Sequence, residues 1–111
     1  MRKPPETLDG ADVVSFAVIS SEQRLTGRTT HTVEGRRLSG FAALAICRYR
    51  DDSSLHLFRC DTEWNVLTDT LHSTLDEARD QAEFEVAGIS SAWITGVAFY
   101  DAPAVKPSDR S

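Results

Sequence analysis

The sequence predicts an α+β fold: an antiparallel meander of about four to six strands with one main helix, residues 74–87, packed on one face. Three observations predict it. Runs 41–50, 55–60 and 66–71 are short, apolar and separated by turn-forming stretches. Thr74 followed by Glu77 marks a helix start, and Gly88 marks its end. A length of 111 residues suits one hydrophobic core and is too short for two.

Taken in order, residues 1–10 are polar, contain Pro4-Pro5, and read as a flexible N-terminal arm. Residues 12–20 (DVVSFAVIS) read as a strand buried on both faces, because apolar side chains fall on both parities. Residues 28–34 form a weak strand with alternating threonines. Gly35 and Gly40 bracket a basic turn at Arg36-Arg37. Residues 41–50 have helix-compatible alanines, but Gly40 and the Asp51-Asp52-Ser53-Ser54 turn favour a strand. Residues 55–60 are its hairpin partner, and residues 66–71 complete the meander after the loop at 61–65. Residues 93–100 read as a last strand. Residues 101–111 carry two prolines and little hydrophobicity and read as a disordered tail, leaving 11–100 as the single domain.

The helix signal is the strongest in the chain. The Thr74 hydroxyl can accept from a first-turn amide while the Glu77 carboxylate reaches back. Asp76 and Glu77 complement the positive end of the helix dipole. At about 100° per residue, Leu75, Ala78, Ala82, Val86 and Ile89 share one face, and their small size lets the helix approach a sheet. Phe84 projects on the opposite side, between Glu83 and Glu85.

Pairing Cys47 with Phe58 and Cys60 with Val66 sorts the meander into two faces. One holds Leu44, Ile46, Leu55, Leu57, Leu67 and Leu71 and is expected beneath the helix. The other holds Tyr49, His56, Phe58, Cys60, Val66 and His72 together with Phe41, Ala43, Ala45 and Cys47. Cys47, His56, Cys60 and His72 offer zinc-type donors, but their spacing matches no zinc motif, so no metal is expected. The same face supplies the alternative reading, a small enzyme or ligand-binding protein using Tyr49, His56, Cys60 and His72. No catalytic signature surrounds these residues, and no catalytic residue is assigned.

A net charge of −5 disfavours nucleic acid as a partner. No apolar run is long enough to cross a membrane, and residues 1–10 lack the apolar core of a signal peptide, so a cytoplasmic protein is expected. Two cysteines are too few for a disulfide framework. No glycine-rich phosphate loop is present, and no cofactor is expected. Packing leaves Trp64, His72 and Phe84 unexplained, and Asp80 and Glu83 lie with Phe84 on the acidic, solvated side of the helix. They form the candidate surface for a protein partner or a second copy of the chain.

Residues 58–89 carry Cys60-Asp61, Trp64-Asn65, Asp69-Thr70, His72 and the run Gln81-Ala82-Glu83-Phe84-Glu85. This segment resembles a pattern shared by small bacterial proteins of unknown function, which implies no activity. In size, acidity and architecture the chain is also similar to small acidic immunity proteins. That likeness implies capture of a basic protein by acidic side chains.

Overall fold

The computed structural model describes residues 1–29, 31–37 and 40–95. It is a mixed α+β fold, an antiparallel sheet with one helix packed against it. The strands are β1 (Thr7–Leu8), β2 (Ala11–Val18), β3 (Arg24–Leu25), β4 (Thr32–Val33) and β5 (Arg36–Arg37), followed by β6 (Ala43–Arg48), β7 (Leu55–Cys60) and β8 (Val66–His72). Helix α1 (Leu75–Glu85), β9 (Val86–Ala87), a 3-10 turn at Ile89–Ser91 and β10 (Ile94–Thr95) complete the described chain. The main sheet has the order β1-β2-β6-β7-β8, with β10 on the same edge of β2 as β1. β3 pairs with β9, and β4 with β5.

The N-terminal stretch is not a loose arm. Asp9 and Gly10 both take positive φ, 49° and 83°, and turn β1 back onto β2 as a two-residue hairpin. Leu8 is buried and the Arg2 carbonyl accepts from Trp64, which ties the segment to the sheet. A second tight hairpin turns at Glu34-Gly35, φ 52° and 80°. Arg36-Arg37, expected as a turn, is therefore the returning strand.

The β6–β7 register differs from the expected one by two residues, with Cys47 opposite His56. The Tyr49 carbonyl accepts from Asp52, and the Asp52 carboxylate from Ser54, so the loop is longer than expected. A two-residue shift preserves parity, and the faces of β6 and β7 stand as expected.

At β8 the faces change over. Cys60 pairs with Val66, but Arg59 pairs with Thr68, so Leu67 is the extra residue of a bulge. Beyond it, Thr70 lies opposite Leu57 and His72 opposite Leu55, on the helix side. Leu71 lies opposite His56 on the other face and is 61% exposed. The expected placements of Leu67, Leu71 and His72 are thus corrected by one inserted residue.

Each face of the sheet carries its own core. On one, Phe16, Val13, Ala45, Cys47, Phe58 and Cys60 pack with Trp64. On the other, Leu44, Ile46, Leu55 and Leu57 pack against Ala78, Ala82, Val86 and Ile89. Helix α1 begins as expected: the Thr74 hydroxyl accepts from the Glu77 amide at 3.1 Å, and the Glu77 carboxylate accepts from the Ser73 amide at 2.9 Å. It ends earlier than expected, because Val86–Ala87 go extended to pair with β3. Gly88 is left-handed, φ 88°, but it starts the 3-10 turn instead of closing the helix. The expected strand 93–100 is seen as Ile94–Thr95. Trp93 precedes the strand, and residues 96–100, like the expected tail at 101–111, lie outside the described residues.

Candidate functional site

Beneath the end of α1 lies a buried ion pair that the sequence reading missed. Arg59 is on the helix side of β7 and Glu85 on the sheet side of α1, and both are buried. The guanidinium grips the carboxylate twice, Nε to Oε1 at 2.9 Å and an NH2 nitrogen to Oε2 at 2.6 Å. Glu85 also accepts from Gln81 at 2.6 Å, and its Oε1 lies 3.0 Å from His31 Nε2. An ionised carboxylate only accepts, so His31 donates from Nε2. Burial alone would raise the Glu85 pKa. Hydrogen bonds from Arg59, Gln81 and His31, with the charge of Arg59, outweigh it and hold the group at about 2.

The network continues outward. Arg59 donates to the Leu57 carbonyl and to Thr70 Oγ1 at 3.2 Å, and Thr70 Oγ1 lies 2.8 Å from His72 Nε2. Since Arg59 can only donate, the Thr70 hydroxyl accepts from it, and the same oxygen hydrogen-bonds His72 Nε2. Burial and the positive charge of Arg59 push the His72 pKa down, which keeps the ring neutral.

His72 is the inner wall of an open groove of about 460 Å³ between β8 and α1. Glu77, Asp80, Gln81 and Phe84 line it from the helix. These positions are spaced i, i+3, i+4 and i+7, one stripe along the helix beside the buried alanines. Phe84 is 44% exposed, and the Arg28 guanidinium sits 5.3 Å from its ring centre. Asp80 is exposed and has no hydrogen bond or ion pair among the described residues.

Three of the five sequence candidates, His72, Asp80 and Phe84, therefore meet in one groove. The other two do not join them. Trp64 is 5% exposed on the opposite face, edge-on to Phe16 at 5.7 Å, with its indole N–H donated to the Arg2 carbonyl at 2.8 Å. Its loop is clamped by Asp61, whose carboxylate accepts from the Asn65 side chain and from the Glu63 and Asn65 amides. Glu83 is exposed, but its carboxylate accepts from the Gly88 and Ser90 amides and holds the 3-10 turn to the helix.

The alternative constellation is not assembled. His72 is on the far side of the sheet from Cys47, His56 and Cys60. Both thiols are buried and unpaired. Burial, aided by nearby negative charge, raises Cys47 strongly and pushes Cys60 up to about 12, so each stays a protonated, inert thiol. The Tyr49 hydroxyl donates to the Asp9 carbonyl, and His56 Nδ1 lies 2.9 Å from Asp69. No group of three metal-binding side chains is found among the described residues.

No known protein family, curated protein or solved structure matches the chain. Among the described residues no helix is long and apolar enough to cross a membrane.

Proposed function

We propose that the protein is an interaction module whose contact surface is the groove between β8 and α1, and whose partner is a basic protein. The observation that carries this reading is the pairing of half-exposed Phe84 with the free carboxylate of Asp80 on one rim. An aromatic ring bordered by a carboxylate suits the stem and head of a lysine or arginine. Arg28, already resting on Phe84, illustrates that preference within the chain. The excess of acid over base favours steered association with a cationic surface. This is the chemistry of a small acidic immunity-type protein, and a bacterial cytoplasmic role is part of the same reading.

Phe84→Ala tests it. Because the ring is off the core, the melting temperature should stay within about 2 °C of the parent. Capture of a partner from the native host, or self-association in sedimentation velocity, should fall by about tenfold, the loss expected of a central aromatic contact. A variant that unfolds, or one with parental assembly in both assays, would sink the reading.

A further inference from the structure

The groove has a second property that an ordinary surface cleft lacks: His72, its lining residue from the sheet, ends a strand whose outer edge is unpaired among the described residues. Among the described residues β8 ends the sheet order and pairs only with β7. Its seven residues have no backbone partner on the outer side among the described residues. β4 lies beside β8 without pairing to it. A strand edge next to a helix-lined groove is the arrangement in which an extended peptide can add to a sheet. Main-chain hydrogen bonds then give affinity, and pockets for alternate side chains give specificity.

The geometry points to β-strand addition: an extended, basic segment of the partner protein pairs with the outer edge of β8 and lays an arginine or lysine in the groove between His72, Asp80 and Phe84. This rests on the interaction reading above and specifies its partner. An added strand lies about 4.8 Å outside β8, with alternate side chains pointing toward the helix side. That is the side on which Thr70 and His72 project and on which Glu77 and Asp80 supply negative charge. The side chains pointing the other way would meet Leu71, which is 61% exposed.

A second copy of β8 is the less suitable occupant. Antiparallel pairing of the palindrome Leu67-Thr68-Asp69-Thr70-Leu71 with itself sets Asp69 against its own copy. Directly opposed like charges destabilise a strand pair.

The probe is a blocked hexapeptide of alternating valine and threonine with one arginine in the interior, followed by NMR on the labelled full chain. Expected is saturable binding with amide shifts on residues 68–72 and 77–84. A glutamate in place of the arginine should weaken binding at least about tenfold. Of two isomers N-methylated at alternate amides, the one blocked on the edge facing β8 should lose binding and the other should keep it. Asp80→Lys and Leu71→Lys, both at exposed positions, should each weaken the arginine peptide while leaving the native spectrum of the free protein intact.

No binding of the arginine peptide, shifts away from β8, or equal binding of both methylated isomers overturns strand addition. A natural partner that depends on Phe84 but not on Leu71 would do the same and leave the interaction reading standing. Indifference of that partner to Phe84 would remove the interaction reading itself.

Discussion

The two faces of the sheet are stabilised by opposite means. One is dry: Phe16, Phe58 and Trp64 fill it, and its two thiols are held protonated by burial. Its polar contacts, such as the Trp64 indole to Arg2, sit at the margin. The helix face is apolar along Ala78 and Ala82 but ends in a charged network around Arg59 and Glu85. The dry face holds the fold and offers a partner little. The wet face can connect a core to a groove, because its hydrogen bonds run from Glu85 through Arg59 and Thr70 to His72 at the surface. An area-based tally would miss that difference, since burial of a charge stabilises only when its partners are in place.

The largest expected effect separates the faces directly. Arg59→Met leaves the Glu85 carboxylate buried with its main donor gone, and should cost about 3–5 kcal/mol in urea unfolding. Adding Glu85→Leu should recover much of that loss, as a well-packed apolar pair replaces an orphaned charge. On the dry face a truncation such as Trp64→Ala, itself about 3–5 kcal/mol, has no single-residue rescue of this kind. A cost below about 1 kcal/mol for Arg59→Met, or no recovery in the double variant, would show that the network does not set the stability of its face.

Acid should then unfold the protein through the wet face. Folding lowers the Glu85 pKa from 4.5 to about 2. The unfolded chain therefore takes up the proton first as pH falls. The contribution of this group is whole above 4.5, shrinks as pH drops toward 2, and is gone below that. It amounts to roughly 3 kcal/mol. His72, held neutral, works in the same direction at higher pH: stability declines as pH falls through the ordinary histidine range. Denaturant midpoints from pH 7 to 2 should show this slope, and Glu85→Gln should flatten the segment between 4.5 and 2. An unchanged slope would place the acid sensitivity elsewhere.

How far these features were legible follows from where their signals lie. The helix start was legible because Thr74 and Glu77 act within one turn. The buried alanine stripe was legible because its period is helical. The Asp9-Gly10 hairpin carried a readable signal too, but Pro4-Pro5 and a polar composition outweighed it. Arg59 and Glu85 could have been found as a pair. Arg59 shares the parity of Leu55 and Leu57, and Glu85 continues the Ala78, Ala82 stripe, so opposite charges stand at two core positions of facing elements. The Leu67 bulge had no such signal. No glycine or proline marks it, and it depends on how β7 and β8 settle across a loop that Asp61 and Trp64 fix. That one residue decided whether His72 faced the thiols or the helix, and so which of two candidate sites existed.

The smallest effect tests whether the groove depends on the helix end that the sequence did reveal. Thr74→Ala removes the hydroxyl that accepts from the Glu77 amide and should cost about 1 kcal/mol. The loss should be local. Glu77, a groove residue, is positioned from both sides of the cap, through its own amide and through the Ser73 amide that its carboxylate accepts. Fraying the first turn should therefore raise amide exchange at residues 75–79 and weaken the basic hexapeptide severalfold. Protection in the central strands β2 and β6 should fall only by the global loss, about fivefold. Equal loss of protection in the first helical turn and in the central strands would mean that helix and sheet open as one unit, and that the groove cannot be tuned without loosening the core beneath it.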